Sequence, residues 1–415
     1  MLYPKETLTR ELINLSGMWN FKVDFDNNGI DKQWFESSLI NPSVMPVPAS
    51  YNDITTDSAI RDHIGDVWYE KSFYVKENWK NKDISIRFGS VTHNAIVWIN
   101  GIKVAENKGG YLPFEAVINN HIKWNEVNRL TVLVNNILDD YTLPPGKILE
   151  VKDNESNDEK SKFYAGIIDK SILPIGYKVQ DYFHDFYNYS GIHRPVFLIA
   201  RGKTHINDIT IKTDIVDKTG VVEYKVDVKG DYNSVELKLI DETGKTVCKS
   251  NKLTGSLIVE NPDLWQPLNA YLYSLDIRIF NDKNELVDHY IQTVGIRTIK
   301  IENDKFLING KPFYFKGFGK HEDMDIKGKG LDNAINVRDF NLLRWIGANS
   351  FRTSHYPYSE EILNLADRLG FVVIDESPAV GLGSNVFENK ILLDHHLEIM
   401  EKLIKRDKNH PSVVM

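Results

Sequence analysis

At 415 residues the chain exceeds what one ordinary core holds and reads as two or three domains. Its 42% hydrophobic and 26% charged residues are those of a globular protein, and a net charge of −8 excludes the basic face that a nucleic-acid partner requires. No stretch approaches the roughly 18 apolar residues of a membrane span, and the N-terminal MLYPKETLTRELINL lacks the apolar centre of a secretion signal. Cys248 is the sole cysteine, so no intrachain disulfide can form, and the chain reads as cytoplasmic. No H-E-x-x-H or comparable spacing occurs among the 12 His, so neither a metal site nor a cofactor is expected.

The first region, to about residue 200, reads as all-β. Short apolar runs at 84–88, 95–99 and 130–134 are separated by turn residues. Asn100-Gly101 behind Ile96 and Trp98 is a hairpin signal, and strands at such close intervals suggest a sandwich or jelly roll. Aromatics, at 11% of the chain, suit either the core of such a sandwich or sugar-stacking surfaces. Residues 147–162 (KILEVKDNESNDEKSK) are polar and charged, and are expected to form a mobile surface loop.

From roughly 202 to 297 the alternation is cleaner. Val222, Tyr224, Val226 and Val228 interleave with Glu223, Lys225 and Asp227; Val235, Leu237 and Leu239 do the same, as do Tyr273, Leu275, Ile277 and Ile279. Period two places one face on a core and one in water, and the length fits a small immunoglobulin-like sandwich.

The third region alternates strand and helix. Residues 313–319 (FYFKGFG), 348–353 and 371–374 read as strands. Residues 333–346 carry Val337, Phe340, Leu343 and Ile346 on one helical stripe. A second helix is expected between an N-cap at Ser359 and a stop at Gly370. A third carries Leu393, Leu397, Met400 and Leu403, and Val413-Val414-Met415 opens another strand. The pattern demands a parallel sheet with helical crossovers. It amounts to half of an eight-stranded barrel; a doubly wound sheet is the alternative, but no glycine-rich phosphate loop follows the first strand.

Unusual polar residues gather at the ends of these strands: Lys320-His321-Glu322-Asp323, then Ser354-His355-Tyr356-Pro357, then Asp375-Glu376-Ser377. Side chains at such ends line the active site of a βα barrel, although each group alone would equally serve as a structural cap. A further cluster occupies 182–194 (YFHDFYNYSGIHR), which suits either a sugar site or a buried aromatic corner.

Asn349-Ser350-Phe351-Arg352-Thr353-Ser354-His355-Tyr356-Pro357, followed by Ile362-Leu363, Asp367, Gly370 and the apolar run 371–374, resembles the signature of the family 2 glycosidases. Thr9-Arg10-Glu11, Gly17-Met18-Trp19-Asn20-Phe21, Val67-Trp68-Tyr69, Gly109-Gly110-Tyr111, Pro113-Phe114-Glu115 and Phe183-His184-Asp185-Phe186 resemble its β-glucuronidase branch. So do Lys327-Gly328-Lys329-Gly330 and Arg406-Asp407-Lys408-Asn409-His410-Pro411.

The resemblance implies a jelly-roll sugar-binding domain (1–201), an immunoglobulin-like β-sandwich (202–297) and the first half of a (β/α)8 TIM barrel (298–415). Asp185 corresponds to the carboxylate that reaches from the jelly roll to hold sugar hydroxyls. His321 and His355 correspond to two sugar-contacting histidines. Arg352 corresponds to the arginine beneath the catalytic carboxylates, and Glu376 matches an acidic position whose role stays open.

Family members carry two catalytic Glu about 5 Å apart, an acid/base and a nucleophile. The acid/base belongs to a W-S-x-x-N-E-P motif that follows the strand begun here at Val413, and no Glu of this chain matches either role. The Asn-x-Lys element that grips the substrate carboxylate has no counterpart either. The expected activity is therefore that of a longer protein: retaining hydrolysis of β-glucuronide conjugates or glucuronic-acid-terminated glycans, with residues 1–415 inactive alone. A β-galactosidase or other family 2 specificity is the alternative, as is a non-catalytic carbohydrate-binding fragment. The resemblance also implies a homo-oligomer, dimer or tetramer. The short segment between Gly381 and Asp394, which is a long loop in some gut bacterial members, implies a more open aglycone side.

Overall fold

Strand Gly17–Val23 sends Trp19, Phe21 and Val23 inward and leaves Met18 and Asn20 exposed, the alternation a pleated strand with one wet face requires. In the computed structural model, which describes residues 1–152, 174–182, 184–382 and 388–415, this strand lies in a six-stranded antiparallel sheet. The order is Ser43–Val47, Gly17–Val23, Asp66–Phe73, Asn128–Asn135, Asn94–Ile99, Ile102–Lys108. A four-stranded sheet of Glu11–Asn14, Val196–Arg201, Asp83–Phe88 and Phe114–Val117 covers it, completing a jelly-roll sandwich. Trp19, Phe21, Tyr69, Ile86, Phe88, Val97, Val132 and Leu198 fill the space between. The hairpin at Asn100-Gly101 forms as expected, with φ of 53° and 85°, the left-handed pair that a tight turn of this kind needs. Trp19, Trp68, Trp79 and Trp265 are fully buried, so these rings serve cores rather than sugar surfaces.

The second unit pairs a three-stranded sheet (His205–Val216, Thr219–Lys229, Thr254–Glu260) with a four-stranded one (Thr246–Ser250, Ser234–Ile240, Tyr273–Phe280, Leu286–Val294). Val222, Tyr224, Leu237, Leu239, Leu275 and Ile277 form its immunoglobulin-like core, following the period-two reading. Arg10 reaches across from the N-terminal segment: its Nε and Nη2 donate to the two oxygens of buried Asp288 at 3.0 and 2.7 Å.

The third unit is part of a TIM barrel. Ser350–Arg352 runs parallel to Val372–Ile374, with parallel bridges Gly319 to Arg352 on one side and Val373 to Val413 on the other. Helices Asn333–Trp345, Glu360–Leu369 and Lys390–Asp407 provide the crossovers. Ser359 Oγ accepts from Ile362 N at 3.3 Å, and Gly370 closes the same helix at φ 75°, both as anticipated.

Three expectations need correction. Residues 313–318 form no regular strand: Lys316 N is taken by the Asn349 side chain at 2.8 Å, and the bridge to the neighbouring strand falls at Gly319. Residues 147–150 are not loop, because Gly146–Glu150 pairs antiparallel with Lys178–Tyr182; residues 153–162 lie outside the described residues. The helical stripes are half covered. Phe340, Leu343 and Leu403 are buried, but Val337, Ile346, Leu393 and Leu397 are exposed, as are Tyr314 (78%) and Trp345 (82%).

Candidate active site

Two neighbouring strand ends are stitched together by one hydroxyl. Thr353 Oγ1 accepts from Glu376 N at 2.8 Å and donates to Asp375 Oδ1 at 3.0 Å. This holds Glu376 beside Arg352, whose Nη1 donates to its Oε1 at 2.6 Å. The other oxygen, Oε2, lies 3.3 Å from His355 Nδ1, and His355 Nε2 lies 3.4 Å from Asp185 Oδ1. Arg352, Glu376, His355 and Asp185 thus form a continuous chain of polar contacts. A carboxylate on Nδ1 fixes the ring's orientation and leaves Nε2 at the site. Asp185 arrives from the jelly roll, on the loop that leaves strand Lys178–Tyr182, and its side chain is 76% exposed.

Beneath this chain lies an aromatic floor. Phe186 packs edge-on to Tyr356 with centroids 5.3 Å apart, and Tyr111 stacks on Tyr356 at 4.7 Å. His321 sits on the same floor, 5.7 Å from Phe186 and 5.8 Å from His355, ring to ring. Burial, aided by the nearby Lys329 charge and opposed by Asp323 and Asp185, lowers the His321 pKa and keeps the ring neutral. His184 stacks on Phe186 at 4.0 Å and is buried, which pushes its pKa down to about 3. Within the 182–194 segment His184 and Phe186 form a buried corner, and Asp185 between them faces outward. Phe183 lies outside the described residues.

Other residues at the strand ends are structural. Lys320 pairs with Asp339 at 2.8 Å. Glu322 is buried, accepting from Ser359 N at 2.9 Å and from Arg194 Nη2 at 3.2 Å. Burial, with the like charge of Asp407 close by, pushes Asp375 up to about 8, so it carries a proton at neutral pH. Ser377 Oγ lies 2.9 Å from His396 Nε2.

Ligand atoms of Asp185, His321 and His355 all lie within 4.8 Å of one another. Two imidazoles and a carboxylate can donate to and accept from sugar hydroxyls; they are also a set that divalent cations accept. Sequence spacing cannot register such a set, since the three residues come from three separate segments. Lys329, part of the Lys327-Gly328-Lys329-Gly330 run, brings its ammonium over the aromatic floor.

Sequence models of three glycosyl hydrolase family 2 domains match the chain in succession: the sugar binding domain over 12–202, the family 2 domain over 204–297 and the TIM barrel domain over 299–415. A β-glucuronidase of Paenibacillus borealis is 52% identical over 424 residues, covering all of this chain and 68% of that protein. The chain belongs to glycosyl hydrolase family 2. A β-glucuronidase from an uncultured Clostridium superposes with a TM-score of 0.90 at 46% identity, covering all of this chain and 68% of that one. A Ruminococcus gnavus β-glucuronidase in complex with D-glucuronic acid superposes at 0.90 with 39% identity, covering all of this family 2 chain and 67% of its own. The chain spans about two thirds of the length of the curated relatives it matches. No helix among the described residues is long and apolar enough to cross a membrane.

Proposed function

We propose that this chain supplies the sugar-holding part of a retaining glycoside hydrolase that releases β-D-glucuronic acid from β-glucuronides. One observation carries the reading: a carboxylate from the jelly roll, Asp185, meets an imidazole from a barrel strand end, His355, at 3.4 Å, with His321 beside them. A sugar ring presents several hydroxyls around its rim, each able to donate and accept. A carboxylate that only accepts, next to an imidazole whose ring nitrogens can donate or accept, suits that rim. Glu376 is held by Arg352 and His355, which suits a supporting role rather than that of acid/base or nucleophile. No Glu among residues 1–415 is assigned the acid/base or nucleophile role of double displacement.

Glucuronides are chosen as the substrate because the similar proteins are β-glucuronidases, one of them holding D-glucuronic acid. A cytoplasmic homo-oligomer completes the reading; the lone Cys248 supports a reducing compartment. The test is a panel of 4-nitrophenyl β-glycosides with the full-length protein. Glucuronide turnover at least tenfold above galactoside and glucoside is expected. Preference for the galactoside would move the assignment within the family, and saccharide binding with no turnover would make the protein a lectin.

A further inference from the structure

Residues 327–330, Lys-Gly-Lys-Gly, are pinned to the jelly roll by their backbone. Ser50 N donates to Lys327 O at 2.9 Å, Lys329 N donates to Ser50 Oγ at 3.0 Å, and Leu331 N donates to His193 O at 2.8 Å. The two glycines make this approach possible. A Cβ on Gly328 would stand 2.6 Å from the Tyr189 ring, in a backbone at φ 54°, and one on Gly330 would stand 2.5 Å from Ala49 Cα. The side chain of Lys329, between them, points inward.

Lys329 is only 5% exposed. Its Nζ lies 3.9 Å from the ring centroids of both Phe186 and Tyr356, and 5.6 Å from that of Tyr111. Burial, opposed by the charges of Asp323 and Glu322, pushes its pKa down to about 7. Ring faces are negative, so an ammonium between two of them is attracted to both, and more strongly out of water. Phe186 directly follows Asp185, and Tyr356 directly follows His355.

We propose that Lys329 is a positioning residue of the site, its ammonium gripping the rings of Phe186 and Tyr356 together and so setting Asp185 of the jelly roll against His355 of the barrel. The kinetic consequence rests on the proposed glycosidase reading; the structural consequence does not.

The test replaces Lys329 in the full-length protein. Lys329→Met keeps the length and loses the charge, and it suits an apolar cage at least as well as lysine does. The melting temperature is therefore expected to hold or rise, while kcat/KM for 4-nitrophenyl β-D-glucuronide falls about tenfold. Because the effect passes through Asp185, the same substitution in an Asp185→Asn background is expected to cost less than threefold. Lys329→Arg, which keeps a cation over the rings, is expected to retain at least a third of wild-type kcat/KM.

Lys329→Met kinetics within twofold of wild type would overturn the clamp, as would an equal loss in both backgrounds. If Lys329→Met does not fold, the arginine variant decides: a tenfold loss at unchanged melting temperature would show that shape rather than charge matters. An inactive wild-type protein overturns the glycosidase reading alone. In that case a crystal structure of Lys329→Met reads the clamp directly, with Asp185 displaced from His355 expected and their contact unchanged refuting it.

Discussion

Asp185→Asn is the sharpest perturbation of the site. The asparagine keeps the shape of the carboxylate but loses its charge, and turns one of two acceptors into a donor. A hydrogen bond to a charged acceptor contributes about 1.5–3 kcal/mol. At 1.36 kcal/mol per factor of ten, kcat/KM for 4-nitrophenyl β-D-glucuronide should fall about 10- to 150-fold in the full-length protein. Stability should barely move, because the carboxylate is largely exposed and its ion-pair contact with His355 is at 3.4 Å. Asp288→Asn provides the contrast. Asp288 is fully buried, and accepts from Arg10, from Thr9 Oγ1 at 3.0 Å and from Ile206 N at 2.7 Å. Breaking such a pair costs about 3–5 kcal/mol of stability, with kcat/KM of the folded fraction preserved. Steady-state kinetics and thermal melts on the two variants should give opposite patterns. Near wild-type kinetics for Asp185→Asn would refute the sugar-holding assignment, however stable the protein proved.

His321→Ala and His355→Ala should each lower kcat/KM at least tenfold, about 1.4 kcal/mol; wild-type kinetics in both would make these histidines structural. Asp375, pushed up to about 8 from an ordinary value near 3.8, favours folding below that ordinary value and loses this contribution as pH rises toward 8. Asp375→Asn should therefore raise the melting temperature more at pH 8 than at pH 5, and an equal change at both would refute the buried protonated carboxyl. Residues 1–415 expressed alone should be poorly soluble and should not hydrolyse a chromogenic β-glucuronide, given exposed Tyr314, Trp345 and Leu397; robust turnover would overturn both expectations. The short segment between Gly381 and Asp394 should favour glucuronic-acid-terminated oligosaccharides over small glucuronides relative to a long-loop family member, read from kcat/KM for both substrate types side by side.

What the chain shows of its fold depends on whether the signal is local. Asn100-Gly101, the Ser359 cap and the Gly370 stop are decided by the conformational needs of single residues, and each reads directly from sequence. The period-two faces of the second sandwich are equally local. The helix stripes are not, because periodicity identifies an apolar face without naming its neighbour; Val337 and Leu397 therefore read as core and are exposed. Residues 147–150 read as loop because their polarity suits water, yet a two-stranded ribbon with both faces wet has the same composition. The meeting of Asp185 with His355 is invisible to spacing. The strand-end pattern and the 182–194 cluster pointed to each residue separately, and the contacts of Glu376 with His355 Nδ1 and of Lys329 with the aromatic floor have no local signature.

The site is shared between two domains, so its geometry is only as good as their docking. Apolar contact alone would leave the jelly roll free to slide on the barrel, because the hydrophobic effect has no direction. The interface instead carries buried, directional pairs. Arg87 Nη2 donates to Glu360 Oε2 at 2.6 Å. Arg194 donates to Tyr111 O at 2.7 Å, Pro357 O at 2.8 Å and Glu322 Oε2 at 3.2 Å. Buried ion pairs are a poor source of net stability, because desolvation offsets most of their attraction. They do penalise every misaligned arrangement, since a slip leaves a charge buried and unpaired. Arg194 also touches the chain on both sides of the aromatic floor, at Tyr111 and next to Tyr356. The same residues that lose stability to desolvation therefore set the register in which Asp185 reaches His355.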